Sequence, residues 1–133
     1  ELEKAAREQY SKHVKALIQV GATRTSGYCA ELGYPAELVP LNNPYSLRVG
    51  GNLRVKAVVE GEPVPNQVVI AGGRTPGGAR IAQRTVRTNR DGEASIRIGS
   101  RGAWYVKFIH MEKVARDTID YESKWATLTF GVR

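Results

Sequence analysis

The sequence predicts an antiparallel β-sandwich of about seven or eight short strands, led by a short N-terminal helix or arm. Three observations carry this. Apolar residues alternate by twos in run after run, as in "NLRVKAVV" and "WYVKFIH". Fourteen glycines and six prolines fall between those runs, where turns need them. The dipeptide Asp91-Gly92 separates two alternating runs, a strong hairpin signal because glycine tolerates positive φ. A chain of 133 residues makes one domain able to bury a core without metal or disulfide staples.

The start, "ELEKAAREQYSKHVKALIQVG", reads first as a helix. Leu2, Ala5, Ala6 and Gln9-Tyr10 form one weak face, with Glu1/Lys4 and Glu3/Arg7 as charge pairs. Val14, Ala16, Ile18 and Val20 then alternate with Lys15, Leu17 and Gln19, which suits a strand ending before Gly21. His13 sits at that junction, expected to be solvated or hydrogen-bonded. Residues 1–21 are thus an arm with the first strand, 22–35 a connector and 36–133 the sandwich body.

In the body, Glu37 to Leu41 form a short strand broken by Asn42-Asn43-Pro44. Leu53, Val55, Ala57 and Val59 face one way while Arg54, Lys56 and Val58 face the other. "GEPVPNQ" turns, and "QVVIAGG" is expected to pair with its predecessor as a hairpin. "RTPGGAR" is a hairpin tip, without the glycine pattern of a phosphate loop. "RIAQRTVRTN" and "ASIRIG" flank the Asp91-Gly92 turn as the arms of a hairpin. "SRGAWYVKFIHM" is a long strand, "EKVARDTIDYESK" is polar and irregular, and "WATLTFGV" closes the domain. Such a series suits an immunoglobulin-like topology, with Trp104 and Trp125 as its large core or near-core residues.

The net charge of +7 arises largely from arginines at positions 74, 80, 84, 87, 90, 97 and 101. No helix-turn-helix, zinc-finger or aromatic RNA-binding motif accompanies them. Solvated strand faces and turn tips explain them, and nucleic acid is not an expected partner. The lone Cys29 excludes an internal disulfide framework and any multi-cysteine zinc site, and is expected to be an inert, partly covered thiol. No apolar run approaches membrane-spanning length. A chain that starts at Glu1 rather than Met is expected to be a mature or trimmed product.

The "G-x-P-V" turn, the "T-N-x-D-G-x-A" segment and "G-x-W-Y-V" are similar to those of prealbumin-like and collagen-binding-B-like sandwiches. More specifically, "YSKHVKALIQVG", "LGYPAELVPLNNPYSLRVG", "RGAWYVKFIHMEKV" and "DYESKWATLTF" resemble the C-terminal half of an exported bacterial family of unknown function, numbered four-one-nine-eight among such domains. Its members are often labelled periplasmic components of nickel or cobalt uptake. The resemblance implies a periplasmic or extracellular sandwich that handles a divalent transition metal. Its partner would be an upstream domain of the same protein or a metal-uptake membrane component. Members typically carry a signal peptide and an N-terminal domain with a histidine near its start, and neither is present here.

Strand parity selects a candidate site. His110 and Glu112 continue the row of Trp104, Val106 and Phe108. Glu122 and Lys124 continue the row of Ala126, Leu128 and Phe130. If those strands are antiparallel neighbours, His110, Glu112 and Glu122 gather at one rim, with Asp117 and Asp120 nearby. One imidazole among carboxylates suits nickel, cobalt or zinc. A histidine bonded to a glutamate at a strand end also serves simply to satisfy half-buried polar groups, so a structural role stays open.

Met111 has the opposite parity and is expected to point away. Trp125, also on the opposite face and flanked by Thr127 and Thr129, suits stacking on a sugar, with Tyr121, Tyr45 and Tyr105 as further aromatic contacts. Cover by the arm or by a second domain is the alternative for Trp125. The chain therefore reads as a non-enzymatic, exported ligand- or partner-binding sandwich, with metal handling as the specific expectation. A structural, adhesion or carbohydrate-binding module without metal is the alternative. No nucleophile–base pair marks an enzyme.

Overall fold

The computed structural model describes residues 8–19, 26–113 and 121–133. Nine strands occur among them: β1 (Glu8–Ala16), β2 (Ala36–Pro40), β3 (Asn52–Val59), β4 (Glu62–Pro63), β5 (Val68–Arg74), β6 (Arg80–Arg87), β7 (Glu93–Arg97), β8 (Gly102–Lys113) and β9 (Tyr121–Val132). They form an all-β sandwich. One sheet runs β1-β9-β8-β5-β6, and in the other β3 is flanked by β2 on one side and by β4 and β7 on the other. No helix among the described residues is long and apolar enough to cross a membrane.

Alternation builds the core as the sequence predicts. Leu53, Val55 and Ala57 of β3 meet Trp104, Val106 and Phe108 of β8 and Ala126, Leu128 and Phe130 of β9 across the sandwich. Trp104 is wholly enclosed, and its indole N–H donates to the Ser100 carbonyl, so its one polar atom is satisfied. The β5–β6 hairpin forms around residues 75–79 as expected, with the Ala79 carbonyl accepting from Thr75.

Several expectations need correction. The run beginning at Glu8 is already strand, including Gln9-Tyr10, because β1 finds a parallel partner in β9, and sheet pairing overrides weak helical propensity. Residues 1–7 lie outside the described residues. The apolar row of β1 is inverted: Val14 and Ile18 are exposed whereas Lys15 is buried, since Lys15 has an internal partner in Glu37. Neither expected hairpin partner is the real one. β3 turns through Glu60 and Gly61, both at positive φ, into the two-residue β4, while β5 crosses to the other sheet between β6 and β8. The Asp91-Gly92 turn is tight, with Gly92 N–H donating to Asn89, yet it carries the chain from β6 in one sheet to β7 in the other. Finally, Glu112, Lys113 and residues 121–124 belong to strands, not to an irregular segment.

The connector is held from within. Glu37 accepts from the backbone N–H groups of Leu32 and Gly33, and Lys15 donates to the Ala30 carbonyl. Cys29 is exposed rather than partly covered, its thiol donating to Ser26 at 3.1 Å.

Candidate functional site

β8 and β9 are antiparallel neighbours, and their register sets His110 opposite Lys124 and Glu112 opposite Glu122. All four continue the inward row past Phe108 and Ala126, out to the rim where the core ends. His110 is fixed from both sides. Its Nδ1 lies 3.1 Å from Gln67 Oε1, and its Nε2 lies 3.0 Å from Glu112 Oε1. Gln67 spends its amide N–H groups on the carbonyls of Val68 and Ile109, which leaves Oε1 to accept from the ring. Gln67 is held in turn by Thr88, whose hydroxyl accepts from the Gln67 N–H and donates to the Val64 carbonyl.

Glu122 belongs to a second unit. Lys124 donates to Glu122 at 2.9 Å and reaches Glu60 of the β3–β4 turn at 3.6 Å. The hydrogen bond to Glu122 raises the Lys124 ammonium above its ordinary value. Burial works against this, and the charges of Glu122, Glu60 and Glu112 add to the rise. Two carboxylates, Glu122 and Glu60, thus lie within ion-pair reach of one protein-borne cation.

Thus His110, Glu112 and Glu122 reach one rim, but Glu112 engages His110 while Glu122 engages Lys124. Among the described residues, no three His, Cys, Asp or Glu side chains are gathered closely enough to hold a metal ion. Asp117 and Asp120 lie outside the described residues. Lys124 was visible in the inward row, but nothing in the sequence marked its charge as the centre of the cluster. Gln67 and Glu60 come from a loop and a turn, where no periodicity points.

Met111 is exposed, as its parity predicts. Trp125 is half-buried on the outer face, its N–H donating to Ser123 Oγ and Lys12 Nζ lying 4.5 Å from its ring centroid. Tyr121 is half-buried at the start of β9, opposite Lys113. His13 lies elsewhere, against Ser11 and the ring of Tyr34.

A family match covers residues 1–112, from the N-terminal strand through His110 and Glu112. The chain belongs to the domain of unknown function family DUF4198. The DUF4198 match stops before β9, so Glu122, Lys124 and Trp125 lie beyond it, and it carries no ligand or compartment with it. No curated protein and no solved structure matches this DUF4198 chain.

Proposed function

We propose that this chain is a non-enzymatic binding module that takes a divalent transition metal, nickel, cobalt or zinc, at the β8–β9 rim. The observation that carries the reading is the setting of His110. Nδ1 faces the Gln67 amide oxygen and Nε2 the Glu112 carboxylate, both acceptors, so an ion that takes the place of the Nε2 proton meets one nitrogen and one oxygen donor. Glu122 would be the third donor once Lys124 releases it. The ammonium already among these carboxylates marks the rim as a place that favours a cation, and it is also the metal's competitor. In this proposal the protein is exported, periplasmic or extracellular, and its partner is an upstream domain or a metal-uptake membrane component. That part rests on the family resemblance.

Titration of the purified chain with nickel and with zinc tests the site. Binding that is lost in His110→Ala and weakened at least about tenfold in Glu112→Gln supports it. Affinity unchanged by His110→Ala removes His110 from any metal site.

A second reading has its own observation, the 2.9 Å Lys124–Glu122 bond. In it the rim is a closed ion-pair cluster of a structural or adhesion module, with Lys124 as its resident cation. Wild-type protein that binds no metal even at millimolar concentration favours this reading.

A further inference from the structure

At the opposite end of β8 the first strand of the β5–β6 hairpin and its neighbours enclose a trough of about 700 Å³. A second hollow of about 300 Å³ adjoins it, sharing Arg80, Ile81 and Trp104. Together they collect three guanidinium groups, Arg74, Arg80 and Arg84, and no carboxylate lines either one. Arg74 and Arg80 stand directly opposite one another across the hairpin, where like charges destabilise a sheet. Among the described residues none of the three arginines has an acidic partner. Arg74 makes its hydrogen bond to the carbonyl of Gly78 instead. The smaller hollow also holds Ser100, whose buried Oγ has no hydrogen-bond partner among the described residues.

Beside these charges the trough has a flat platform. The Tyr105 ring lies across Gly72, its cross-strand neighbour, so closely that a Cβ on Gly72 would sit 2.6 Å from the phenol oxygen. Gln83 donates to that oxygen at 3.2 Å and holds the ring in place. Charged residues on an edge strand such as β6 discourage unwanted pairing. That role explains isolated arginines, but it gives no reason to set Arg74 against Arg80 at the mouth of a trough that no carboxylate lines.

We propose that this trough binds an acidic saccharide, a sugar ring bearing a carboxylate. The ring stacks on Tyr105, the carboxylate is taken by Arg74 and Arg80, and Gln83 and Thr129 face the sugar hydroxyls. Guanidinium groups suit a carboxylate because they offer paired N–H donors in one plane. A single half-buried ring with Lys107 Nζ 5.4 Å from its centroid suits one acidic sugar better than a nucleic acid strand, which uses successive aromatic faces. The site is independent of the His110 rim, since Tyr105 and His110 lie roughly 17 Å apart along β8.

Calorimetric titration of the purified chain with trigalacturonate, its methyl ester and a single-stranded oligonucleotide tests the proposal. The acid is expected to bind, and the ester, which keeps the rings but loses the charge, to bind at least about tenfold more weakly. Arg74→Gln and Arg80→Gln should each weaken acid binding by a similar factor. Tyr105→Phe should retain binding and Tyr105→Leu should lose it, with circular dichroism melts showing that each variant is folded. No binding of trigalacturonate, equal binding of the ester, or unchanged binding in both arginine variants overturns the proposal. So does tighter binding of the oligonucleotide through the same arginines, which would make this a nucleic-acid site.

Discussion

Lys15 and Glu37 meet at 2.6 Å between an edge strand of one sheet and an edge strand of the other, both side chains almost wholly buried. The pair explains why β1 turns a lysine inward and a valine outward. It also organises the connector, because Glu37 accepts from Leu32 and Gly33 while Lys15 donates to Ala30. Breaking one side leaves a buried charge uncompensated. Lys15→Met is therefore expected to cost about 3–5 kcal/mol, read from urea denaturation. Adding Glu37→Leu should recover only part of that loss, because the two backbone N–H groups would then be left without their acceptor.

The same carboxylate gives a pH dependence. Burial works to raise Glu37, but its hydrogen bond from Lys15, the Leu32 N–H, the charge of Lys15 and the Gly33 N–H outweigh it and hold the group below its ordinary value. A lowered folded-state value means that the contribution is fully present above the ordinary carboxylate range and is lost as pH falls through and below that range. Thermal melts of the wild type should lose stability there, and Glu37→Gln should flatten that part of the profile.

Lys124 gives a prediction of the opposite sign. Its raised value makes its contribution complete below the ordinary lysine range and lost as pH climbs through and above it. Lys124→Met should remove this alkaline loss. In the metal reading the same substitution removes a competitor from Glu122, so nickel affinity should rise by about tenfold or more. Unaltered nickel binding in that variant would show that the ammonium does not share the ion's place.

Tyr45 ties together the C-terminal ends of two neighbouring strands of the large sheet, β1 and β9. Its hydroxyl donates to the Leu17 carbonyl at 2.6 Å, just beyond β1, and accepts from the Gly131 N–H in β9 at 3.1 Å. Tyr45→Phe keeps the ring and removes both bonds, with an expected cost of about 1–2 kcal/mol. Amide exchange should quicken at Gly131 more than in the central strands.

Gly73 faces a harder limit. A Cβ there would lie 2.0 Å from the Ala103 carbonyl oxygen, and a backbone atom cannot step aside as a side chain can. Gly73→Ala should cost at least about 2 kcal/mol and open the register between β5 and β8. Gly77, at the hairpin tip with nothing nearby, should accept alanine with little change.

Period-two alternation made the interior legible. It fixed which side chains of β3, β8 and β9 face the core, and from β8–β9 adjacency it brought His110, Glu112 and Glu122 to one rim. Alternation says which way a residue faces, but not which sheet its strand joins. That is why β5 and β7 were paired with the wrong neighbours, although their residues were recognised as strands. β1 was misread for a different reason. Its inward row holds Lys15, whose burial depends on Glu37 in a distant segment, so local hydrophobicity pointed the wrong way. Gln67 and Glu60 stayed hidden because they act from a loop and a turn, where position follows from the assembled sheets.

The parallel pairing of β1 with β9 sets Glu8 opposite Tyr121, more than roughly a hundred residues later. β1 is thus among the last strands to be placed, because the edge it joins does not exist until β9 has been made. Closing so long a loop makes folding slow for a domain of this size and delays completion until β9 is available. Until then β1 is an unpaired strand, and the charge of Lys15 discourages it from docking on a neighbouring chain.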